Sequence, residues 1–548
     1  MSRPELRKLI PTALPIFALG VVVCLLALPV VRELARSLAH TFSQDTTEGF
    51  AQIYLHPSRV WLLIRSVGIA LLIGMIGVCM GIPVARIVAA NTCKHTDVQA
   101  RLKNQIFIGV LLSPIWLPAT LVYAAGNLLR APDTLLGHAL VSFSTSSDSL
   151  RWVTIWTGYL VAIVGLALWS APIAGVLIAS GLGFQSNLYD EMIALEPVSR
   201  FQRARLWVRL HIKVLLRAWV LITFLMLGSA TAMHLAQLDT WSIVIWRQLA
   251  ERSPDQWGTV WLSAWPMVLV ACLGAWMLTR SLVKSGDQPS HQHRGYIPST
   301  TPKSIFILAA IIWCMGALVP MLAMLITIDD LKSIPEFWNL QASAIRDTGF
   351  IAISTGVATF GIALLVAYVL GHPSRTCRKL GAASMFIFIV LGLFPGVLIG
   401  AAIARSDLPL ISGSTWNGAL LASLIRTAFI GAIIGALCAG AESPDRQSVR
   451  WQLAGSSIIG WINAVLPSIL LPLLGSALIG GLYAMYEIEA SVMVRPPGMD
   501  NLPQQLLSDL HYARLEQLSA AGINLLAIGL IGAIIGSILL SKVSITRQ

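Results

Sequence analysis

Long apolar runs alternate with short polar stretches along the whole chain, and that alternation predicts its elements. Runs of about twenty apolar residues cross a bilayer as helices, because backbone polar groups in lipid must be satisfied inside the segment. Twelve such runs occur: about 10–31, 62–85, 105–128, 153–178, 214–236 and 258–279, then about 304–327, 349–370, 380–404, 417–440, 463–486 and 519–541. The first follows Arg7 and Lys8, exceeds the length of a signal-peptide core and lacks a clear small-x-small cleavage site, so it is read as a helix. The expectation is an all-α, polytopic membrane protein.

Composition narrows the class. The 548 residues are 56% hydrophobic and only 12% charged, whereas soluble domains carry about a quarter charged residues. A soluble enzyme, a disordered chain and a fibrous repeat are excluded. The net charge of +12 comes from basic residues set singly or in small groups between apolar runs, which points to membrane topology and not to nucleic acid. With the N-terminus inside, 23 Lys and Arg fall on the inner face and 12 on the outer. The bias predicts both termini in the cytoplasm. The seven cysteines form no CxxC pair and lie mostly in apolar runs; they read as small core residues, with no disulfide frame and no metal site.

One stretch, 281–303, is polar and rich in Ser, Pro and Gly, and reads as a flexible cytoplasmic linker. Its His291 and His293 have no third ligand nearby. The linker divides the chain into domains 1–280 and 304–548, six spans each. The halves match locally: Arg65-Ser-Val-Gly with Arg346-Asp-Thr-Gly, the run around Pro118 with the run around Pro395, and Trp152 with Trp416. Six is an even number, so both copies enter from the same side. Two parallel six-helix repeats imply a pseudo-two-fold axis along the membrane normal, with a pathway between them.

The loop after the fourth run, about 181–213, carries Phe184, Leu188, Met192 and Leu195 on one face of a short helix. Pro197 then breaks it, and Arg200, Arg203, Arg205 and Arg209 follow. In the second half Val449 and Leu453 sit four apart, Gly455 breaks the helix and Pro467 lies near the next span. Such an element either docks in a partner's groove or lies on lipid headgroups.

These loops resemble degenerate EAA loops of permease subunits of ATP-binding-cassette importers. Glu191-Met192-Ile193 stands at EAA and Pro197 at the glycine position in the first copy; Val449-Arg450-Trp451, Gly455 and Leu466-Pro467 stand at the corresponding places in the second. Neither copy keeps the Ala-Ala pair. The stretch from Tyr486 to Gly522 resembles the segment after this loop in ferric-iron-type fused permeases. The resemblance implies two fused permease domains in a cell inner membrane. It implies two ATP-binding subunits docked from the cytoplasm on loops at about 185–210 (Glu191, Leu195, Glu196, Pro197, Arg200) and 445–467 (Val449, Leu453, Gly455, Pro467). It also implies an extracytoplasmic binding protein and import of ferric iron or another small solute. The chain has no GxxxxGK[ST] loop, so ATP hydrolysis is expected on the separate subunit, with no cofactor here.

Glu487 and Glu489 end the eleventh run, with Thr231 and His234 in the matching region of the first half. The carboxylates either draw a cation toward a pathway or mark the outer membrane boundary. Arg65, Arg217 and Arg426 are expected to snorkel to an interface. Two other readings remain: a secondary carrier of the twelve-helix facilitator type, whose basic motif between its second and third helices is missing, and a polytopic membrane enzyme, for which no cluster of His, Asp or Glu with catalytic spacing is seen.

Overall fold

A computed structural model of the chain describes residues 3–43, 57–91, 98–119, 121–122, 128, 137–139, 141–142, 151–182, 199–235, 238–253, 257–286, 303–406, 412–440, 442, 444–454, 457–512 and 514–541. Every regular element among them is helical. The first half holds α1 (Arg3–Ser43), α2 (Pro57–Asn91), α3 (Val98–Leu112), α4 (Arg151–Leu182), α5 (Arg200–Gly228), the short α6 (Thr231–Leu235), α7 (Trp241–Glu251), α8 (Trp257–Ser263) and α9 (Trp265–Gly286). In the second half α10 (Lys303–Trp313) passes through a π turn into α11 (Val319–Ile326). There follow α12 (Ser333–Leu340), α13 (Ala342–Leu370), α14 (Arg375–Leu393), α15 (Gly396–Ala404), α16 (Trp416–Ala439), α17 (Pro444–Ala454), α18 (Ile458–Ala464), α19 (Leu466–Met485), α20 (Leu502–His511) and α21 (Leu515–Ser541).

Among the described residues, eleven helical segments are long and apolar enough to cross a membrane. Large apolar side chains such as Phe17, Leu269, Ile307 and Ile353 stand exposed on their outer faces, where only lipid satisfies them. The chain is a multi-pass membrane protein.

The run expected to span at 105–128 does not continue as one helix. α3 stops at Leu112, a 3-10 turn covers Ser113–Trp116, and Leu117 is extended with φ −80° and ψ 134°. The cause is local: Pro114 lacks an N–H, and the ring of Pro118 pushes the residue before it out of the helical region. The same chemistry acts at Phe394-Pro395, where Phe394 adopts φ −70° and ψ 147° between α14 and α15. The two prolines that align in the sequence therefore make two matching breaks.

Within each half, three helices pack most closely: α2, α4 and α5 in the first, and α13, α16 and α19 in the second. Small residues let the axes approach, as expected where lipid provides no hydrophobic drive between helices. A Cβ on Gly81 of α2 would fall 2.8 Å from the Ala171 carbonyl, and one on Gly435 of α16 would fall 2.5 Å from the Ala363 carbonyl.

The remaining spans cross to the other half. α1 packs on α13, α14 and α15, while α10 packs on α2, and its Trp313 donates to Ser113 Oγ, in the turn after α3, at 3.1 Å. α9 lies on α14, and α21 on α3, where Ser537 donates to the Gln105 carbonyl. Glu33 of α1 is buried and accepts from Arg405, at the end of α15, at 3.0 Å.

α13 has 29 residues and so extends about 43 Å at 1.5 Å per residue. At its second turn α20 is tied on, by Leu502 N donating to Thr348 Oγ1 at 3.0 Å. At its last turn Gln447 of α17 donates to the Gly371 carbonyl at 2.9 Å, and Trp461 of α18 packs edge-on against Tyr368. α20 and the α17–α18 pair therefore sit at opposite ends of the bundle.

The structure alters the expectation for the cysteines and for one arginine. Cys24 and Cys79 are exposed on the outward faces of α1 and α2, and Cys272, Cys314 and Cys377 are half-buried; among the described residues Cys438 alone is fully buried as expected. Arg426 does not snorkel, because its whole side chain is buried and bonded inside the bundle.

Candidate functional site

Three interrupted helices meet at one place. α5 starts at a capping box, in which Ser199 and Gln202 bond each other's backbone N–H. It stops at Gly228, and Ser229 is extended before α6 begins. α14 is broken at Phe394-Pro395. α19 ends at Met485, and residues 486–490 leave the helix. Gly228 lies against the break in α14, since a Cβ there would stand 3.0 Å from the Leu393 carbonyl.

Each break frees backbone groups that lipid cannot satisfy, and charged side chains take them up. Arg426, in the interior of α16, donates through Nη1 to the Gly392 carbonyl at 3.0 Å and the Phe394 carbonyl at 2.7 Å. Glu487 accepts from Ala490 N at 2.8 Å and Ser491 N at 3.1 Å, closing the turn after α19. Glu489 reaches into the first half, where its Oε1 accepts from Ala230 N at 2.6 Å and Thr231 N at 3.2 Å. Its Oε2 stands 3.4 Å from Arg426 Nη2, and Glu487 Oε1 stands 3.7 Å from Arg426 Nε. Tyr483 Oη accepts from Arg426 at 3.4 Å.

The cluster is dry. Arg426, Glu487 and Glu489 are 6%, 5% and 6% exposed, so their charges are screened by one another and not by water. Two carboxyl groups face one guanidinium, and the Ala230 and Thr231 N–H groups at the start of α6 supply Glu489 with further donors. Gly396, at the start of α15, makes room: a Cβ there would sit 2.6 Å from Glu489 Cβ and 3.1 Å from Glu487 Oε1. Buried ion groups of this kind are costly to desolvate, and removing one partner strands the rest.

The structure thus brings together three of the four candidate pathway residues, Glu487, Glu489 and Thr231. Thr231 is buried, and its hydroxyl has no hydrogen-bond partner among the described residues. His234, the fourth, stands exposed one turn further along α6. Its ring is 5.6 Å from that of Trp246 and 6.0 Å from that of His511. Partial desolvation of the ring first, then His511 and Arg247 nearby, holds its pKa below the usual histidine value. Sequence reasoning missed Arg426 as the hub. The signal was present: an ionisable residue inside an apolar run calls for a named partner, and the pair Glu487 and Glu489 was the available one.

Of the candidate coupling residues, Val449 and Leu453 are exposed on α17, at 52% and 83%. Pro467 is the second residue of α19, where a missing N–H costs nothing. Arg200 is the first residue of α5. Glu191, Leu195, Glu196, Pro197 and Gly455 lie outside the described residues. Beneath α17, Arg450 is buried and forms a two-pronged pair with Glu442 at 2.8 and 2.9 Å. No group of three or more His, Cys, Asp or Glu suited to a metal occurs among the described residues.

No protein-family model, no curated protein and no solved structure matches this chain. What the geometry defines is a class: an all-helical, multi-pass membrane protein with a buried ionic cluster where broken helices from both halves of the sequence meet.

Proposed function

We propose that the chain is the membrane-spanning permease component of an ATP-driven importer, two fused six-helix units related by a pseudo-two-fold axis along the membrane normal. One observation carries this reading. The first, third and sixth elements of each half exchange partners reciprocally: α1 lies on the α13–α15 region and α10 on α2, while α9 lies on α14 and α21 on α3. Two equivalent units embracing about an axis produce such an exchange. Paired units of this kind place their pathway at the shared interface, where broken helices present backbone groups. The Arg426–Glu487–Glu489 cluster occupies that seam.

In this reading both termini are cytoplasmic and the membrane is a cell inner membrane. Two copies of an ATP-binding subunit engage the loops at about 185–210 and 445–467, and Val449 and Leu453 are free to seat in one of them. Force on α17 and α18 passes through Trp461 and Tyr368 to α13, and along α13 to the cluster. A soluble binding protein delivers ferric iron or another small solute at the α20 end.

The test is co-purification and transport. The protein expressed with its genomic neighbours is expected to bring down a nucleotide-binding subunit. The pair Val449→Asp and Leu453→Asp is expected to abolish that association while thermal unfolding of the permease stays unchanged. Transport that persists without any ATP-binding partner, and survives deletion of residues 186–205, overturns the proposal in favour of a secondary carrier.

A further inference from the structure

α5 carries a row of four cations at one spacing. Arg205, Arg209, Lys213 and Arg217 stand four residues apart, which sets them along a single ridge of the helix, about 18 Å from first to last. The first three are exposed and Arg217 is half-buried. Beside this row runs an apolar one, offset by three residues: Val208, Ile212 and Leu216, exposed at 38%, 42% and 42%. We propose that the two rows form a binding surface for an anionic glycerophospholipid, with its phosphate on the cations and its acyl chains on the apolar row.

Three observations carry the assignment. The first is charge without a partner. None of the four cations has an ion pair or hydrogen bond among the described residues, and Arg217 Nε is buried in that state. The second is self-repulsion. Like charges four apart on a helix repel one another, and a phosphate set between them turns the repulsion into attraction. The third is depth. α5 belongs to the membrane-crossing segment Phe201–Gly228, and its apolar run opens at about residue 214. Arg217 therefore sits about one turn inside the apolar boundary, where an ionised side chain calls for a partner. Its long stem lets the guanidinium reach back to the headgroup layer, where lipid phosphate is the available anion.

The pairing of the two rows selects the ligand. A soluble anion satisfies the cations and leaves Val208, Ile212 and Leu216 uncovered, whereas a lipid covers both. A zwitterionic headgroup carries its own ammonium beside the phosphate, so a lipid of net negative charge binds better. Arg holds phosphate through two parallel N–H bonds, and three of the four cations are Arg. Occupancy removes an uncompensated charge from α5, so the lipid composition of the membrane sets the stability of the α2, α4 and α5 packing. The surface requires only that α5 cross a bilayer and does not depend on the transport reading.

The full-length protein, delipidated in a neutral detergent, is titrated with phosphatidylglycerol, with phosphatidylcholine and with inorganic phosphate while its thermal midpoint is followed. Phosphatidylglycerol is expected to raise the midpoint, because a ligand stabilises the state that binds it, and the other two are not. The apparent affinity should fall as salt is added. Each cation removed should weaken it about fivefold, so Arg209→Gln with Lys213→Gln loses roughly thirtyfold. Arg375→Gln with Lys379→Gln, an exposed basic pair at the start of α14, should change it less than twofold. Arg217→Leu should raise the midpoint of the delipidated protein, since it removes an unpaired charge, and still lose about fivefold in lipid affinity. Arg217→Lys should retain most of that affinity. A midpoint shift from phosphatidylcholine or free phosphate equal to that from phosphatidylglycerol overturns the proposal. So does an equal loss in the α14 pair, or an Arg217→Leu variant that unfolds earlier and binds lipid as the parent does.

Discussion

α5 and α19 end beside one another, and they end in opposite ways. After α5 the chain offers bare donors, the N–H groups of Ala230 and Thr231. After α19 it offers acceptors in surplus: Glu487 closes its own turn, and Glu489 crosses to the donors of the other half. The turn after α19 is closed within its own half, whereas the donors after α5 are taken up by the other. The difference teaches that the two halves are matched in outline but not interchangeable at the seam. Both carboxylates stand on one side, and a single cation, Arg426, anchors them to the third break at Phe394-Pro395.

The comparison breaks most severely at its hub. Arg426→Leu leaves two buried carboxylates without a counter-charge, and the expected cost is about 3–5 kcal/mol. Thermal unfolding in detergent should show a large drop in midpoint or no folded protein. Adding Glu487→Gln and Glu489→Gln to Arg426→Met should recover most of the loss, because a neutral cluster has no stranded charge. Next in size is Glu489→Ala, which leaves the Ala230 and Thr231 N–H groups buried and unpaired, at about 2–3 kcal/mol. Glu489→Gln keeps an acceptor and should lose less than half of that in the same measurement. If the two variants unfold alike, the cross-half bonds contribute nothing and the contrast between the two ends fails.

A third variant, Gly396→Ala, tests whether the carboxylates sit against α15. Its new methyl would meet Glu489 Cβ at 2.6 Å, and such overpacking costs about 1–2 kcal/mol. The smallest effect lies at the other end of the bundle, where the halves differ again. Trp207 carries Arg86 over its ring and His211 beside it, whereas Trp461 packs on Tyr368 and the nearby His372 meets Trp451 edge-on. Burial first, then Arg450, holds the His372 pKa below its usual value. The folded state therefore binds fewer protons than the unfolded one. Stability is fully present above about pH 6.5 and declines as the pH falls below it. With half-burial and solvent screening the decline should stay below about 1 kcal/mol. The difference between parent and His372→Gln, measured by thermal unfolding from pH 7.5 to 5.5, isolates it.

Much of the scaffold was legible because bilayer physics writes itself into composition: a span must be apolar, and its length is set. The breaks were half legible. Pro118 and Pro395 were visible as a match, but apolar residues continue across both, so hydropathy alone joined what the prolines divide. The seam was not legible. Arg426 lies 61 and 63 positions from its carboxylates, and Glu489 lies 259 positions from Ala230. No periodicity links residues at those distances. Nor did the sequence reveal that α1 and α10 reach across to the other half, since a helix that is apolar on every face does not say which neighbour it will choose. The first of the two candidate coupling elements rests on residues 183–198, which lie outside those described.

The Glu33–Arg405 pair has a consequence for how the molecule is made. The two residues are 372 positions apart, so a ribosome adding about 5–20 residues per second delivers the arginine roughly 20–70 s after the glutamate. Throughout that delay the first helix is already inserted, with an acid near its end and no distant cation to meet. Arg36, one turn along and 2.6 Å from the same carboxylate, is placed to serve as its stand-in until the later partner emerges and the newborn helix is claimed by the other half.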